Sequence, residues 1–327
     1  MGSNTASHRP LVSALDQWLL NAIARTPTEG LTNRIRWRVL LRLRRFRLRF
    51  SDPEVEFHLC GKTLRLPLSH ELPVYKRSLP QYSLNLGRIA SHVAHKYADL
   101  TMIDIGANVG DSASNVRASC DIPLLCIEGE QRFFRYLAAN AEALGDVELE
   151  PALIGAAGDN AAGIEIQRGT ARVVLGSESI PQLPMRTLSE VLQSHPRFSN
   201  AKLWKIDAEG FDCKIIACES KLIARVRPVI FFEYQPLLSQ QAGYESFRVF
   251  SNLVSMGYRT LMVYEAVGHY LLSFDVREVE LLEDIHHYYG TTLGGYCDLV
   301  AFHAEDTDIA EAARAGELRT GQLGRLK

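Results

Sequence analysis

The sequence predicts an α/β fold: an open, mostly parallel sheet with helices on both faces, an antiparallel C-terminal edge and a helical N-terminal extension. Three observations carry this. Apolar runs of strand length at 100–105, 124–128, 147–154, 203–207 and 229–234 are nearly unbroken, as strands buried on both faces must be. Helical patterns at 112–119, 131–144, 187–194 and 211–224 separate them. After a helix at 246–256 that ends at Gly257, the segments 258–264, 269–274 and 296–303 come with little helix between them, which predicts antiparallel strands at the sheet edge.

Before this core, residues 11–24 place Leu11, Leu15, Trp18, Leu19, Ala22 and Ile23 at helical spacing, and Pro27 with Gly30 closes the segment. In "NRIRWRVLLRLRRFRLRF", Arg34, Arg38, Arg42, Arg45 and Arg49 recur at helical steps, with Ile35, Val39, Leu43, Phe46 and Phe50 on the opposite side. A strand would need a break at Arg44-Arg45, so a helix is predicted. Two uses suit it: a solvated flank packed on the main domain, or a basic amphipathic helix on an anionic membrane or polyanionic glycolipid. Residues 55–68 read as a hairpin turning at Gly61-Lys62, and a helix from Leu84 to Tyr97 leads into the first core strand. Thr187 and Glu190 make a capping box, and 163–177 reads as an inserted hairpin. The domain reading is therefore an arginine-rich extension over 1–50, a main domain over 51–305 (its hairpin and helix at 51–99, its core at 100–303) and a tail over 306–327.

Of the 327 residues, 46% are hydrophobic and 23% charged, values that suit a chain with a substantial core. The formal charge of −2 hides an asymmetry. Residues 31–50 hold eight arginines and no acid, leaving 28 basic and 38 acidic groups elsewhere, a balance of −10. That makes nucleic acid a poor partner for the main body. Six cysteines show no zinc spacing and read as reduced, mostly buried thiols. With no cleavable leader pattern and no run of 18 apolar residues, the expected location is the cytoplasm, with peripheral contact at the inner face of the membrane through 34–50 as the extension of that reading. Nothing points to an oligomeric state.

The stretch "TMIDIGANVGDSA" brings an acid, Asp104, to the end of an apolar strand and then crosses Gly106, Asn108 and Gly110. In open α/β sheets the ligand lies beyond the carboxyl ends of the strands, beside such a loop. A dinucleotide needs a pyrophosphate at the helix entry, yet the third glycine of Gly-x-Gly-x-x-Gly is absent and Asp104 and Asp111 would repel it. S-adenosyl-L-methionine carries no phosphate. Asp104 can face its amino group, loop amides around Gly106–Gly110 its carboxylate, and Glu128, 24 positions later in "LLCIEGE", both ribose hydroxyls. The competing readings are an NAD-linked oxidoreductase and, more plainly, two acids that cap helices.

"MIDIGANVGD", "CIEGE", "LWKIDAEGFD" and "FFEYQP", in this order, resemble the FkbM-type family of S-adenosylmethionine-dependent methyltransferases. The resemblance covers about 100–303, with the hairpin and "YSLNLGRIA" in keeping. It implies a class I (Rossmann-like) methyltransferase with a seven-stranded sheet and, usually, methylation of a hydroxyl on a sugar or polyketide. It also implies that Asp104, Gly106, Asn108, Gly110 and Glu128 line the cofactor site, with Asp111 at the helix entry and Leu153 and Ile154 of "PALIG" near the adenine.

Asp207 and Glu209 end the fourth core strand and Glu233 the fifth, so three acids converge on one rim. An alcohol acceptor is a poor nucleophile until its proton is being removed, so Asp207 or Glu209, then Glu233, are the candidates for positioning it and taking that proton. Each could equally cap a helix or pair with Lys205 or Arg186. The same three carboxylates could hold a hard divalent cation, but no dedicated ligand loop exists and no metal is assigned. Tyr82, Asn85 and Arg88, the 163–177 hairpin and 283–296 are candidate acceptor walls, and His286-His287 are placed in a loop. The function expected is O-methylation of a sugar hydroxyl in a polysaccharide or glycolipid. The alternatives are a polyketide or other small-molecule hydroxyl, and a catalytically silent, membrane-associated binding protein of the same fold.

Overall fold

Residues 13–156, 160–161, 164–167, 170–173, 183–292 and 294–324 are described in a computed structural model of the chain. Helices α1 (Ala14–Arg25) and α2 (Leu31–Arg47) open it. Strands β1 (Glu54–Leu59) and β2 (Lys62–Pro67) form the expected hairpin, but its two-residue turn is Cys60-Gly61, one position before the predicted Gly61-Lys62. Both turn residues have positive φ, 49° and 78°, which matches the twist of the flanking strands. Helices α3 (Leu72–Ser78) and α4 (Leu84–Lys96) lead to the core.

The core alternates as predicted: β3 (Met102–Ile105), α5 (Asp111–Arg117), β4 (Leu124–Ile127), α6 (Gln131–Leu144) and β5 (Val147–Glu150). A short excursion comes next, β6 (Leu153–Ile154), β7 (Asn160–Ala161), β8 (Ile164–Gln167), β9 (Thr170–Val173) and β10 (Leu183–Arg186), in which β8 and β9 pair antiparallel within the predicted inserted hairpin. Its remaining residues, and the side chains over 157–184, lie outside the described residues. The chain continues through α7 (Leu188–Ser194), β11 (Leu203–Ile206), α8 (Asp212–Cys218), α9 (Ser220–Val226), β12 (Val229–Tyr234), α10 (Pro236–Gln241), α11 (Arg248–Ser255), β13 (Tyr258–Glu265), β14 (Tyr270–Asp275), α12 (Val279–Thr291), β15 (Cys297–His303) and α13 (Thr307–Gly324).

One sheet organises these elements in the order β14-β13-β15-β12-β11-β3-β4-β5. Strands β5, β4, β3, β11 and β12 run parallel, and β15 lies antiparallel between β12 and β13. Seven strands implied by the resemblance become eight, because β14 pairs with β13 and covers what would be its free edge. Side chains alternate between two cores. Ile103, Ile105, Trp204, Ile206 and Phe232 face α7, α8, α9, α11 and α12. Met102, Cys126, Leu203, Phe231 and Met262 face α4, α5, α6, α13 and the hairpin. The strand order reverses between β3 and β11, so the loops after these two strands diverge and open a crevice.

Three expectations need correction. The helix predicted at 211–224 is two helices, because buried Glu219 interrupts it and turns its carboxylate to the start of α7, accepting from Leu188 N at 2.6 Å and Ser189 Oγ at 2.9 Å. Between β14 and β15 lies α12, thirteen residues long, so His286 and His287 are helical rather than in a loop. Periodicity is weak there because only Leu282 and Tyr289 are buried. The C-terminal segment, read as a tail, forms α13, which buries Ile309, Ala310 and Ala313 in the second core. The capping box at Thr187 and Glu190 is present as predicted. Since Ile309 is 3% exposed, Ile309→Ala should lower the unfolding free energy by about 2–4 kcal/mol, measured by urea titration; a tail residue would give no change.

Candidate active site

A cavity of about 420 Å³ opens at the strand-order reversal. Its floor is made by the strand ends and loops of β3, β4, β5, β11 and β12; its outer wall comes from His70 to Ser83, from Ala266 and Val267 in the β13–β14 turn, and from Tyr296. Of the residues singled out in the sequence, Gly106, Asn108, Asp111, Glu128, Leu153, Ile154, Asp207, Glu209 and Glu233 all line it. Asp104 and Gly110 do not.

Their absence has physical reasons. Gly110 has a φ of 89°, and a Cβ there would meet Leu144 Cδ1 at 2.6 Å, so the glycine serves the close packing of α5 on α6. Asp104 points into the core shared with Cys126, opposite Lys205 in the parallel register of β3 and β11. The Lys205 ammonium reaches Asp104 Oδ1 at 3.1 Å, Asp207 Oδ2 at 3.2 Å and the Gly106 carbonyl at 3.3 Å. Complete burial pushes the Asp104 carboxyl up, with Lys205 opposing; burial acts to lower Lys205, but Asp104 and Asp207 outweigh it and hold the ammonium charged. Asp104 therefore acts on the cavity through Lys205, which does line it. Gly106 sits where the two loops nearly touch: its φ is 79°, and an added Cβ would fall 1.8 Å from the Asp207 carbonyl oxygen.

Glu128 combines both of its sequence readings. It lines the cavity, and it also braces the loops, accepting from Asn108 N at 2.8 Å and Glu130 N at 2.7 Å. Burial pushes its carboxyl up to about 7 against these two hydrogen bonds. Asn108 has a φ of 50°, and its side-chain oxygen faces His70 Nε2 at 3.1 Å. His70 Nδ1 accepts from Leu72 N, so the proton lies on Nε2, and burial lowers the ring's pKa. Sequence reasoning missed His70, which has no local signal in "LSHELP".

Beside the cavity a recess of about 30 Å³, room for a single water, is lined by Tyr82, Asn85, Asp207, Glu233, Tyr296 and Asp298 among others. Glu233 and Asp298 are direct cross-strand partners in β12 and β15. Burial, then the neighbouring carboxylates led by Asp207, pushes Glu233 well above the carboxylate range. Burial pushes Asp298 up to about 7, opposed by the hydrogen bond it accepts from Asn85 Nδ2 at 2.9 Å. Asp298 was also missed, although an acid inside the apolar run "YCDLVAFH" is the same signal that marked Asp104. Of the expected acceptor walls, Tyr82, Asn85 and Tyr296 are in place; Arg88 is not, being held by Glu317 at 2.7 Å and the Gly268 carbonyl. Arg186 pairs with Glu150 rather than with the rim. Among the described residues no group of three acids, histidines or cysteines is arranged to hold a metal ion.

The donor set decides what the cavity fits. Seven carboxylates line it, from Glu71, Asp111, Glu128, Glu130, Asp207, Glu209 and Glu233, against one lysine. That field repels a pyrophosphate and favours a cation. Ile127, Ala152, Leu153, Ile154, Met185 and Phe211 supply an apolar side for a flat ring. A sulfonium nucleoside meets both conditions.

Residues 104–260 match the family model of the methyltransferase FkbM domain. The chain carries a methyltransferase FkbM domain. Its cofactor is S-adenosylmethionine, which sets the NAD reading aside. The domain spans the loop after β3 and both acidic strand ends. Among solved structures the chain is similar to a methyltransferase FkbM from Methylobacillus flagellatus (10% identity over 74% of this chain and 53% of that one, TM-score 0.32). It is also similar to an O-methyltransferase from Bacillus cereus in complex with S-adenosylhomocysteine (14% identity, 66% and 80%, TM-score 0.37). A third is a precorrin-6y C5,15-methyltransferase from Geobacter metallireducens (11% identity, 63% and 80%, TM-score 0.32). No curated protein matches the sequence.

The FkbM domain's buried charges lead to two expected outcomes. Asp104→Ala leaves Lys205 with an uncompensated side in the core and should lower stability by about 3 kcal/mol in urea titration. Glu128 and Asp298 have ordinary values of 4.5 and 3.8 and folded values of about 7. Between these limits the folded protein keeps protons that the unfolded chain has released, so stability is greatest below the unfolded values and falls as pH rises to about 7. Asp298→Asn removes one of the two titrations and should flatten this slope in thermal unfolding monitored from about pH 4 to about pH 8.

Proposed function

We propose that this methyltransferase transfers the methyl group of S-adenosylmethionine to a hydroxyl of a sugar in a polysaccharide or glycolipid. The observation that supports this most directly is the junction between cavity and recess. There Asp207 and Glu233 border both spaces, beside Tyr82, Asn85, Tyr296 and Asp298. Carboxylates, a carboxamide and phenols suit an acceptor dense in hydroxyls, each of which donates and accepts hydrogen bonds.

The cofactor, when bound, supplies an already activated methyl carbon. Glu128 would hold its sugar diol, the Gly106–Asn108 loop its amino acid end, and Leu153 and Ile154 its ring. Alignment of donor and acceptor can supply roughly 7–11 kcal/mol of the barrier reduction. What remains is the acceptor proton. Glu233 stands beside Asp207 on the border of both spaces and is the second group placed to hold the acceptor hydroxyl. Asp207 is partly exposed at the mouth and paired with Lys205, and it takes the proton as the hydroxyl attacks. Glu209 stands next to it at a φ of 49°, a strained conformation for a residue other than glycine, and completes the rim.

With a pool of glycans as acceptors, Asp207→Asn should lower turnover of S-adenosylmethionine by about 10²–10⁴-fold. Calorimetric affinity for S-adenosylhomocysteine should change by less than about threefold, because the diol and ring contacts are untouched. Cofactor binding without turnover on any hydroxyl acceptor would overturn the enzymatic reading, and turnover on polyketide hydroxyls alone would overturn the sugar.

A further inference from the structure

Helix α2 has three faces where its sequence suggested two. Trp37, Leu40, Leu41, Arg44 and Leu48 turn toward the protein: Leu40 joins Leu19 and Ile23 of α1 in a small core flanked by Trp37, Leu41 and Val74, and Leu48 packs against the hairpin core. The apolar stripe of the sequence is a separate face, exposed to solvent. Leu31, Ile35, Val39, Leu43, Phe46 and the adjoining Phe50 form it, with Ile35 at 53%, Phe46 at 57% and Phe50 at 72% exposure. At 3.6 residues per turn these six positions cover an arc of about 120°. Phe46 and Phe50 meet edge to face with centroids 5.2 Å apart.

Along one border of this ridge runs the row Arg34, Arg38, Arg42, Arg45 and Arg49, and Arg36 stands on the other. All six are exposed and make no ion pair among the described residues, in contrast to Arg44 and Arg47, which pair with Glu71 and Asp16. No acid occurs from 31 to 50. A second copy of the chain docked symmetrically here would bring like-charged rows together without a carboxylate to neutralise them. No helix among the described residues is long and apolar enough to cross a membrane.

We infer that the outward face of α2 docks on an anionic lipid bilayer, its aliphatic and phenylalanine ridge entering the headgroup boundary and its arginine row meeting lipid phosphates. The inference goes beyond the acceptor reading and stands without it. It also has a consequence for the cavity. Arg44, on the inward face of the same helix, donates to the carbonyls of Leu68 and His70 at 2.7 Å and 2.9 Å and to Glu71 Oε1 at 3.1 Å. His70 and Glu71 belong to the cavity wall. The element that lies on the lipid is thus the one that braces the site.

The test is co-sedimentation of the full chain with vesicles of phosphatidylcholine, with and without phosphatidylglycerol. The chain should sediment with the anionic vesicles, release them as salt rises, and bind the neutral ones at least about tenfold more weakly. Two triple variants, Arg38→Glu/Arg42→Glu/Arg45→Glu and Ile35→Ser/Leu43→Ser/Phe46→Ser, change only exposed side chains. Each should keep the parent's circular dichroism and Tm while losing at least about tenfold in vesicle affinity. Failure of the parent to bind anionic vesicles, or undiminished binding by both variants, overturns the inference. So does a parent dimer in light scattering that the serine variant abolishes, which would assign the ridge to a second copy.

Discussion

A lysine buried between two carboxylates ties together the two strands on which the site is built. Lys205 lies opposite Asp104 across the β3–β11 ladder and reaches the Gly106 carbonyl and Asp207 as well. Where the sheet order reverses the main chain diverges, and the loop starts are held by backbone bonds from Asp207 N to the Ile105 carbonyl and from Gly106 N and Ala107 N to that of Ile127. The Lys205 ammonium adds three contacts, to Asp104 and the Gly106 carbonyl on the β3 side and to Asp207 just beyond the end of its own strand. Gly106 permits the close approach this requires, since any side chain there would strike the Asp207 carbonyl. The arrangement also fixes where Asp207 stands, so that an interaction inside the core positions the acid proposed to take the acceptor proton.

Around this centre the charge balance of the cavity is one-sided, and the consequences differ with burial. Acids near the mouth face an incoming cationic ligand. Glu128, Glu233 and Asp298, deeper in, are pushed upward because water is excluded and their neighbours carry the same sign. The site thereby sets one residue type in two environments, solvated at the mouth and desolvated within.

Much of this was legible from residue order. The parallel strands and the capping box arise from period and local chemistry, and these are set by residues a few positions apart. Glu128, Asp207, Glu209 and Glu233 could be placed because strand ends in an open α/β sheet point to one crevice. The same reasoning puts Asp104 against the ligand, whereas its position in the strand turns it to the core face, where its partner Lys205 comes from 101 residues away. His70 and Asp298 enter the site from the pre-core segment and the last strand, which no local pattern connects to the first glycine loop. Helix α12 escaped notice because it packs through few residues, and too little apolar repetition remained to announce it.

The helix α2 shows the division most plainly. Its sequence by itself determined that it is a helix, that its arginines share a stripe and that its apolar residues share another, because 3.6 residues per turn fixes which side chains are neighbours on a cylinder. Which stripe faces the protein is a property of what else is there to pack against. Arg44 finds three oxygen partners and Leu40 finds α1, so they turn inward and leave the apolar ridge outside. Period is a local property and was decided by the chain; partnership is not, and only the tertiary structure could assign it.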